Sequence, residues 1–263
     1  MCPNALCFDV RTAAGFHSQL MSVLAGFAFA VIATLLATPG AKARDRALEA
    51  SIVSLIATLV MLIAASFFYA AAAGEQVLAP RAAIIVLLAG VDAVFGSLSL
   101  LYGLTWLARR SSDLVADTIA RVTASGVTTG SFFYLVVSAN NELTIARNQR
   151  TSGALLTVFA GICAVMLGAA IASQLMWHSG TLERVARRLD ESSRPEQWLM
   201  RLAAMTAAGT GLSYAIVLRF PPTAAAPIWL LYLVLVVALV YELLMIVIVR
   251  AIPVESPSGS PST

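Results

Sequence analysis

Of the 263 residues 59% are apolar and 12% charged, against roughly 45–50% and about 25% in ordinary soluble domains. The 17 basic and 14 acidic residues are too few to cover a water-facing globule of this length, which excludes an ordinary soluble fold. A net charge of +3 comes with no nucleic-acid-binding pattern, so no nucleic acid is expected as partner and the excess reads as membrane topology.

Taken in chain order, the segment ahead of Arg11 lacks a basic region followed by a short apolar core and cleavage site, so no removable signal peptide is read. No charge then falls between Arg11 and Lys42, between Glu49 and Glu75, or between Arg150 and Glu183. Apolar runs of about 18 or more residues match a hydrocarbon layer ~30 Å thick. Seven such segments are predicted: 20–38, 51–73, 82–107, 122–138, 154–177, 202–218 and 228–249. Asp92 interrupts the third and Glu242 the seventh. The fourth is the most polar, reading VTASGVTTGSFFYLVVS. Without it the count drops to six and every later span inverts.

The expected fold is therefore all-α, a polytopic bundle of seven transmembrane helices over 20–250. Residues 1–19 precede it as an extracytoplasmic segment and 251–263 follow as a disordered, Ser/Pro-rich cytoplasmic tail. With the N-terminus out and the C-terminus in, 12 of the basic residues fall on the inner side and five on the outer. That asymmetry follows the positive-inside rule and vanishes if the fourth span is removed. A multi-pass protein of the cell membrane, surrounded by lipid, is the expected setting.

The largest loop, TLERVARRLDESSRPEQW, reads as a helical continuation of the fifth span near the headgroups. Ser193, Arg194, Pro195 and Glu196 then have capping-box spacing with proline in the first turn, a start signal for the sixth helix. Trp106, Trp177, Trp198 and Trp229 all fall near span ends, where indoles prefer the interface. The first and fifth spans share Val23/Val158, Ala25/Ala160, Gly26/Gly161 and Ala37/Ala172. Such a repeat would make the third and seventh spans equivalent, and with them the two acids.

Those acids are the candidate ion- or proton-binding residues. A charged acid at mid-bilayer costs on the order of 2.5–3.5 kcal/mol on insertion scales, so it persists only when paired, solvated or neutral. At ~1.5 Å per residue, Asp92 lies about 15 Å from Arg81 and about 25 Å from Arg109, too deep to reach water. Ala89, Asp92, Gly96, Ser99 and Gly103 share one helix stripe, which turns the acid toward a neighbouring helix. Glu242 stands eight residues before Arg250 and reaches partway to the inner surface. A shared-proton pair is disfavoured, because the two acids differ in depth by roughly 10 Å.

Weaker features include Gly126 and Gly130, with helix-packing spacing, and Gly161 and Gly168. Cys2 and Cys7 are able to pair in an oxidising space, while Cys163 stands alone. His17 and His178 lie near span ends, so no haem pair forms, and no His, Cys and carboxylate cluster has metal spacing. No cofactor is expected. The only lysine, Lys42, lies in a loop, which excludes a retinal-binding protein. Three readings remain. One is a non-catalytic membrane component that assembles with copies of itself or with a membrane partner. The second is a small transporter or proton-linked permeation protein using an intramembrane carboxylate. The third is a membrane-embedded enzyme acting on a lipid or isoprenoid, similar to terpenoid cyclases in length, span count and buried acids alone.

Overall fold

The computed structural model describes residues 10–37, 46–75, 80–109, 112–128, 130, 131, 133–135 and 195–221, with single positions at 161, 164, 168, 171 and 236. Among them all regular structure is helical and no strand occurs. Three long helices come first: α1 (Val10–Ala37), α2 (Arg46–Ala73) and α3 (Pro80–Arg109). A short α4 (Asp113–Arg121) leads directly into a π-helical turn (Val122–Val127), and α5 spans Pro195–Val217.

The ends follow local chemistry. Pro80 and Pro195 open α3 and α5, a position where a missing N–H costs nothing. Ser112 caps α4 from an extended backbone, accepting the Val115 N–H at 3.4 Å. At the end of α2 the Gly74 N–H reaches back to Ala70 O and Ala71 O, tightening the last turn. Past α5, Arg219 and Phe220 make i→i−3 bonds to Ile216 and Val217, and Pro221, which has no N–H to donate, follows.

α1, α2 and α3 are each long and apolar enough to cross a membrane. Their burial orders them: 22% of the apolar window of α1 is buried, 50% of α2 and 78% of α3. α3 is thus the central helix, and α1 lies at the rim with Phe16, Leu20, Val23, Phe27 and Leu36 exposed. In water such a face would be strongly unfavourable; against lipid tails it is the ordinary outer surface of a bundle. The helices start earlier than the hydropathy suggests. α1 begins at Val10 rather than 20, α2 at Arg46 rather than 51 and α5 at Pro195 rather than 202. The added turns are more polar, and a helix satisfies its backbone whether or not those turns lie in oil.

α1 and α2 run antiparallel, joined by hydroxyls. Ser18 Oγ donates to Ser66 O at 3.0 Å, Ser66 Oγ to Ser18 O at 3.1 Å, and Ser22 Oγ meets Ser66 Oγ at 2.7 Å. Between apolar helices in oil, such bonds and close packing replace the hydrophobic drive. Further out, Arg11 Nε donates to Ala73 O at 3.1 Å, satisfying a carbonyl at the end of α2.

α2 and α3 approach most closely at two glycines. A Cβ on Gly96 would lie 2.8 Å from Leu62 Cδ2 and 3.3 Å from Met61 Cβ. One on Gly103 would lie 3.3 Å from Ser54 Cβ and 3.4 Å from Ser51 O. Ser51 Oγ also donates to Gly103 O at 3.2 Å. Both contacts fix one antiparallel register, with Ser99 at the level of Thr58.

α5 lies against both α2 and α3. Tyr214 packs on Phe67 and Phe68 of α2, and the far end is held by Arg81, whose Nη1 donates to Phe220 O at 3.3 Å. Arg81 also grips Glu75 with Nε to Oε1 at 2.9 Å and Nη2 to Oε2 at 2.8 Å. α5 therefore runs parallel to α2 and antiparallel to α3. Beyond the π turn the chain brings Leu135 beside Gly90, 3.1 Å from where a Cβ would stand.

The close approach at Gly96 makes a checkable expectation. Gly96→Val forces side chains into space held by Leu62 and Met61, and overpacking of this kind costs about 1–3 kcal/mol. A Cβ added to Gly209 on α5 would meet nothing within 4 Å, so Gly209→Val should change stability by at most about 0.5 kcal/mol. Unfolding of both variants in micelles decides it; equal stability would contradict the packing described.

Candidate functional site: a buried carboxyl between α3 and α5

Asp92 stands midway along α3 with no accessible surface. Its surroundings follow from sequence spacing: Ala89, Gly96, Ser99 and Gly103 on the same stripe are all buried, so the acid faces protein. Its partner comes from α5. Thr210 Oγ1 donates to Asp92 Oδ2 at 3.1 Å. The second oxygen, Oδ1, has no hydrogen-bond partner among the described residues.

The Thr210 hydroxyl is itself shared. Thr206 O at 3.0 Å and Ala207 O at 3.1 Å lie within its reach as well as Asp92. A hydroxyl carries one proton, so only one of the three acceptors holds it at a time. Rotation to the helix's own carbonyls releases the carboxyl without stranding a donor. Such a bond is switchable, unlike one made by a fixed backbone N–H.

Two more polar atoms on the same face of α3 lack partners among the described residues: Ser99 Oγ and Trp106 Nε1. Asp92, Ser99 and Trp106 succeed one another at seven-residue steps, two helical turns and about 10 Å each. All three are buried, at 0%, 0% and 3% exposure. Across from them α2 buries Ser51, Ser54 and Thr58. Ser54 and Thr58 donate to Ala50 O and Ser54 O of their own helix, leaving oxygen lone pairs toward the seam. On α5 the antiparallel register set by Asp92 and Thr210 places Ala203 at the level of Ser99. The seam is completed by Leu98, Tyr102, Leu199 and Met61.

The opposite half of α3 is different. From Asp92 toward Arg81 its buried side chains are Ala82, Ala83, Ile85, Val86, Leu87, Leu88, Ala89 and Val91. Tyr69 of α2 is the polar exception there, and its ring stacks on His17 with centroids 5.1 Å apart. His17 Nδ1 lies 2.7 Å from Ala13 O, inside α1 rather than before it. Among the described residues no group of three His, Cys, Asp or Glu is placed to hold a metal ion.

Several sequence expectations change here. Trp106 is buried in the seam, edge-on to Tyr102 at 6.3 Å and beneath the Arg109 guanidinium at 5.8 Å, so it is not an interfacial indole. Trp198 is 47% exposed with Arg201 over its ring at 5.6 Å, as a headgroup-level residue would be. Gly126 and Gly130 meet nothing within 4 Å, so their spacing marks no tight contact among the described residues. Gly161 and Gly168 are likewise open. Thr210 carries no signal in the sequence, since a threonine in AAGTGL looks like any other until a partner helix is known. Glu242, the cysteines, His178, the tail and most of the fifth and seventh spans lie outside the described residues, as does the proposed repeat.

The Asp92–Thr210 bond is testable by itself. Thr210→Val keeps the shape and removes the hydroxyl, leaving the carboxyl with neither oxygen satisfied, at about 1–3 kcal/mol. Thr210→Ser should retain most of the stability. Thermal unfolding in detergent reads both, and a valine variant as stable as the parent would show that the bond contributes nothing.

Comparison with protein-family models, characterised proteins and solved structures finds no match to this chain, so the reading of its site rests on geometry and chemistry alone.

Proposed function

We propose that this chain is a seven-span protein of the cell membrane, N-terminus out and C-terminus in, that moves protons or small cations with Asp92 as the carrying group. The topology is supported by direction. α2 and α5 run parallel, so an even number of crossings separates α3 from α5, as predicted spans four and five require. The fourth span is supported by distance. Between Ser112, beyond the end of α3, and Leu135, beside Gly90, the chain climbs back along most of α3, about 30 Å of helix. That is the thickness of the hydrocarbon layer.

One observation carries the functional reading: a carboxyl with no accessible surface whose Oδ2 is held by a switchable hydroxyl and whose Oδ1 is unmatched among the described residues. A purely structural acid gains by satisfying both oxygens, because an unmatched buried acceptor costs about 1–3 kcal/mol. An oxygen left open for a transient proton or ion has a reason to be unmatched. Thr210 then serves as a positioning residue. It donates to the carboxylate when Asp92 is empty and turns to Thr206 O when it is loaded.

A second reading has its own support. Full burial and a bond to the neighbouring helix also suit a non-catalytic membrane component, in which Asp92 and Thr210 clip α3 to α5. The enzyme reading, with a protonated Asp92 as acid, would be favoured by a lipid-open cavity shared with Glu242, which lies outside the described residues.

Flux separates the two. Purified protein in proteoliposomes should dissipate a proton or cation gradient, and Asp92→Asn should bring the rate to that of empty vesicles. Asparagine still accepts the Thr210 hydroxyl, so folding is preserved. A parent protein without flux, folded as judged by unfolding, rejects transport and leaves the clip. Topology has a separate check. Reporters fused after residue 40 and after residue 263 should both report the cytoplasmic side; opposite sides would exclude seven spans.

A further inference from the structure

We infer that the seam between α2, α3 and α5 from Asp92 to Trp106 is a hydrated half-channel, through which water and protons reach Asp92 from the Arg109 side only. This deepens the reading of Asp92 as a carrying group by giving its route of access, and it rests on that reading for the identity of the cargo.

Asp92 Oδ1, Ser99 Oγ and Trp106 Nε1 are buried and unpartnered among the described residues, and they recur on one face of one helix. Internal water is the usual partner of such groups, and it needs two to four polar contacts to remain. The seam supplies them. Ser99 offers a donor and an acceptor, Trp106 a donor, and Asp92 an acceptor. Facing Ser99, the hydroxyls of Ser54 and Thr58 have their protons committed to their own helix, so their oxygens are left to accept. At this level α5 contributes a small buried side chain, Ala203. The seam ends near Arg109, a half-buried residue in the last turn of α3.

The stretch nearest Asp92 is apolar. Between Asp92 and Ser99 stand Phe95, fully buried, and Leu62, which fills the hollow at Gly96. A gap of about 10 Å is spanned by roughly three waters at ~2.8 Å each. Constrictions of this kind gate by wetting and drying. The Phe95 and Leu62 pair therefore holds Asp92 dry until water crosses it. Toward Arg81 the buried face of α3 is aliphatic, the buried Tyr69 against it is stacked on His17, and no buried polar side-chain atom is left unpartnered there among the described residues.

Water accessibility can be read without transport. In a chain with Cys2, Cys7 and Cys163 changed to serine, Ser99→Cys and Thr58→Cys place a thiol at one level on two facing helices. A cationic, membrane-impermeant methanethiosulfonate should modify both when added on the Arg109 side of oriented vesicles, and neither from the Arg81 side. Ala89→Cys, on the same stripe beyond Asp92, should stay unmodified from both. Denaturation must then expose every thiol, which establishes that each is intact. If positions 99 and 58 resist the reagent, or react only from the Arg81 side, the half-channel is overturned. Modification without any flux in the parent protein would instead uphold the hydrated seam and reject transport.

Discussion

The structure depends on how closely α2 and α3 approach. At Gly96 a methyl group would overlap Leu62, and at Gly103 it would meet Ser54 and Ser51 at 3.3 and 3.4 Å; this closeness lets Ser51 reach the Gly103 carbonyl. In a lipid environment apolar side chains gain little by meeting each other rather than acyl chains. Helices associate there through such fitted contacts and through hydrogen bonds. The same logic joins α1 to α2 through Ser18, Ser22 and Ser66, and α3 to α5 through Asp92 and Thr210.

α3 is consequently surrounded, and its character differs between its halves. The half near Arg81 is aliphatic and is fastened at its end by the Arg81, Glu75 and Phe220 cluster. The half near Arg109 carries hydroxyls, an indole and small residues, faced by three buried hydroxyls of α2. Asp92 sits at the boundary between them. A carboxyl at the junction of an aliphatic and a polar half has its polar neighbours on one side, along the half of α3 that runs to Arg109.

The π-helical turn at 122–127 is held by the same kind of hydroxyl contact. The Thr128 N–H and hydroxyl both go to Thr123 O, five residues back, and both threonines are buried. An inserted residue of this kind rotates the helix beyond it relative to the helix before it. Here it separates the amphipathic α4, with its Asp117–Arg121 pair, from the segment that brings Leu135 against Gly90.

The long apolar helices and the inward-facing position of Asp92 were legible in the sequence alone. Both come from composition along the chain: uncharged runs as long as a bilayer is thick, and one acid stranded within such a run on a stripe of small residues. The helix start at Pro195 was legible for a local reason, the capping chemistry around a first-turn proline. Tertiary structure alone decided what the acid meets. Thr210 lies 118 residues away, in a segment whose hydroxyls look like any others, and its role emerges only when α5 packs against α3. The fate of Trp106 was also hidden, because an indole near a span end reads as interfacial until a neighbouring helix covers it. Periodicity tells which face of a helix is turned inward; only packing tells which helix stands there, and a hydrogen bond has meaning only with both partners in place.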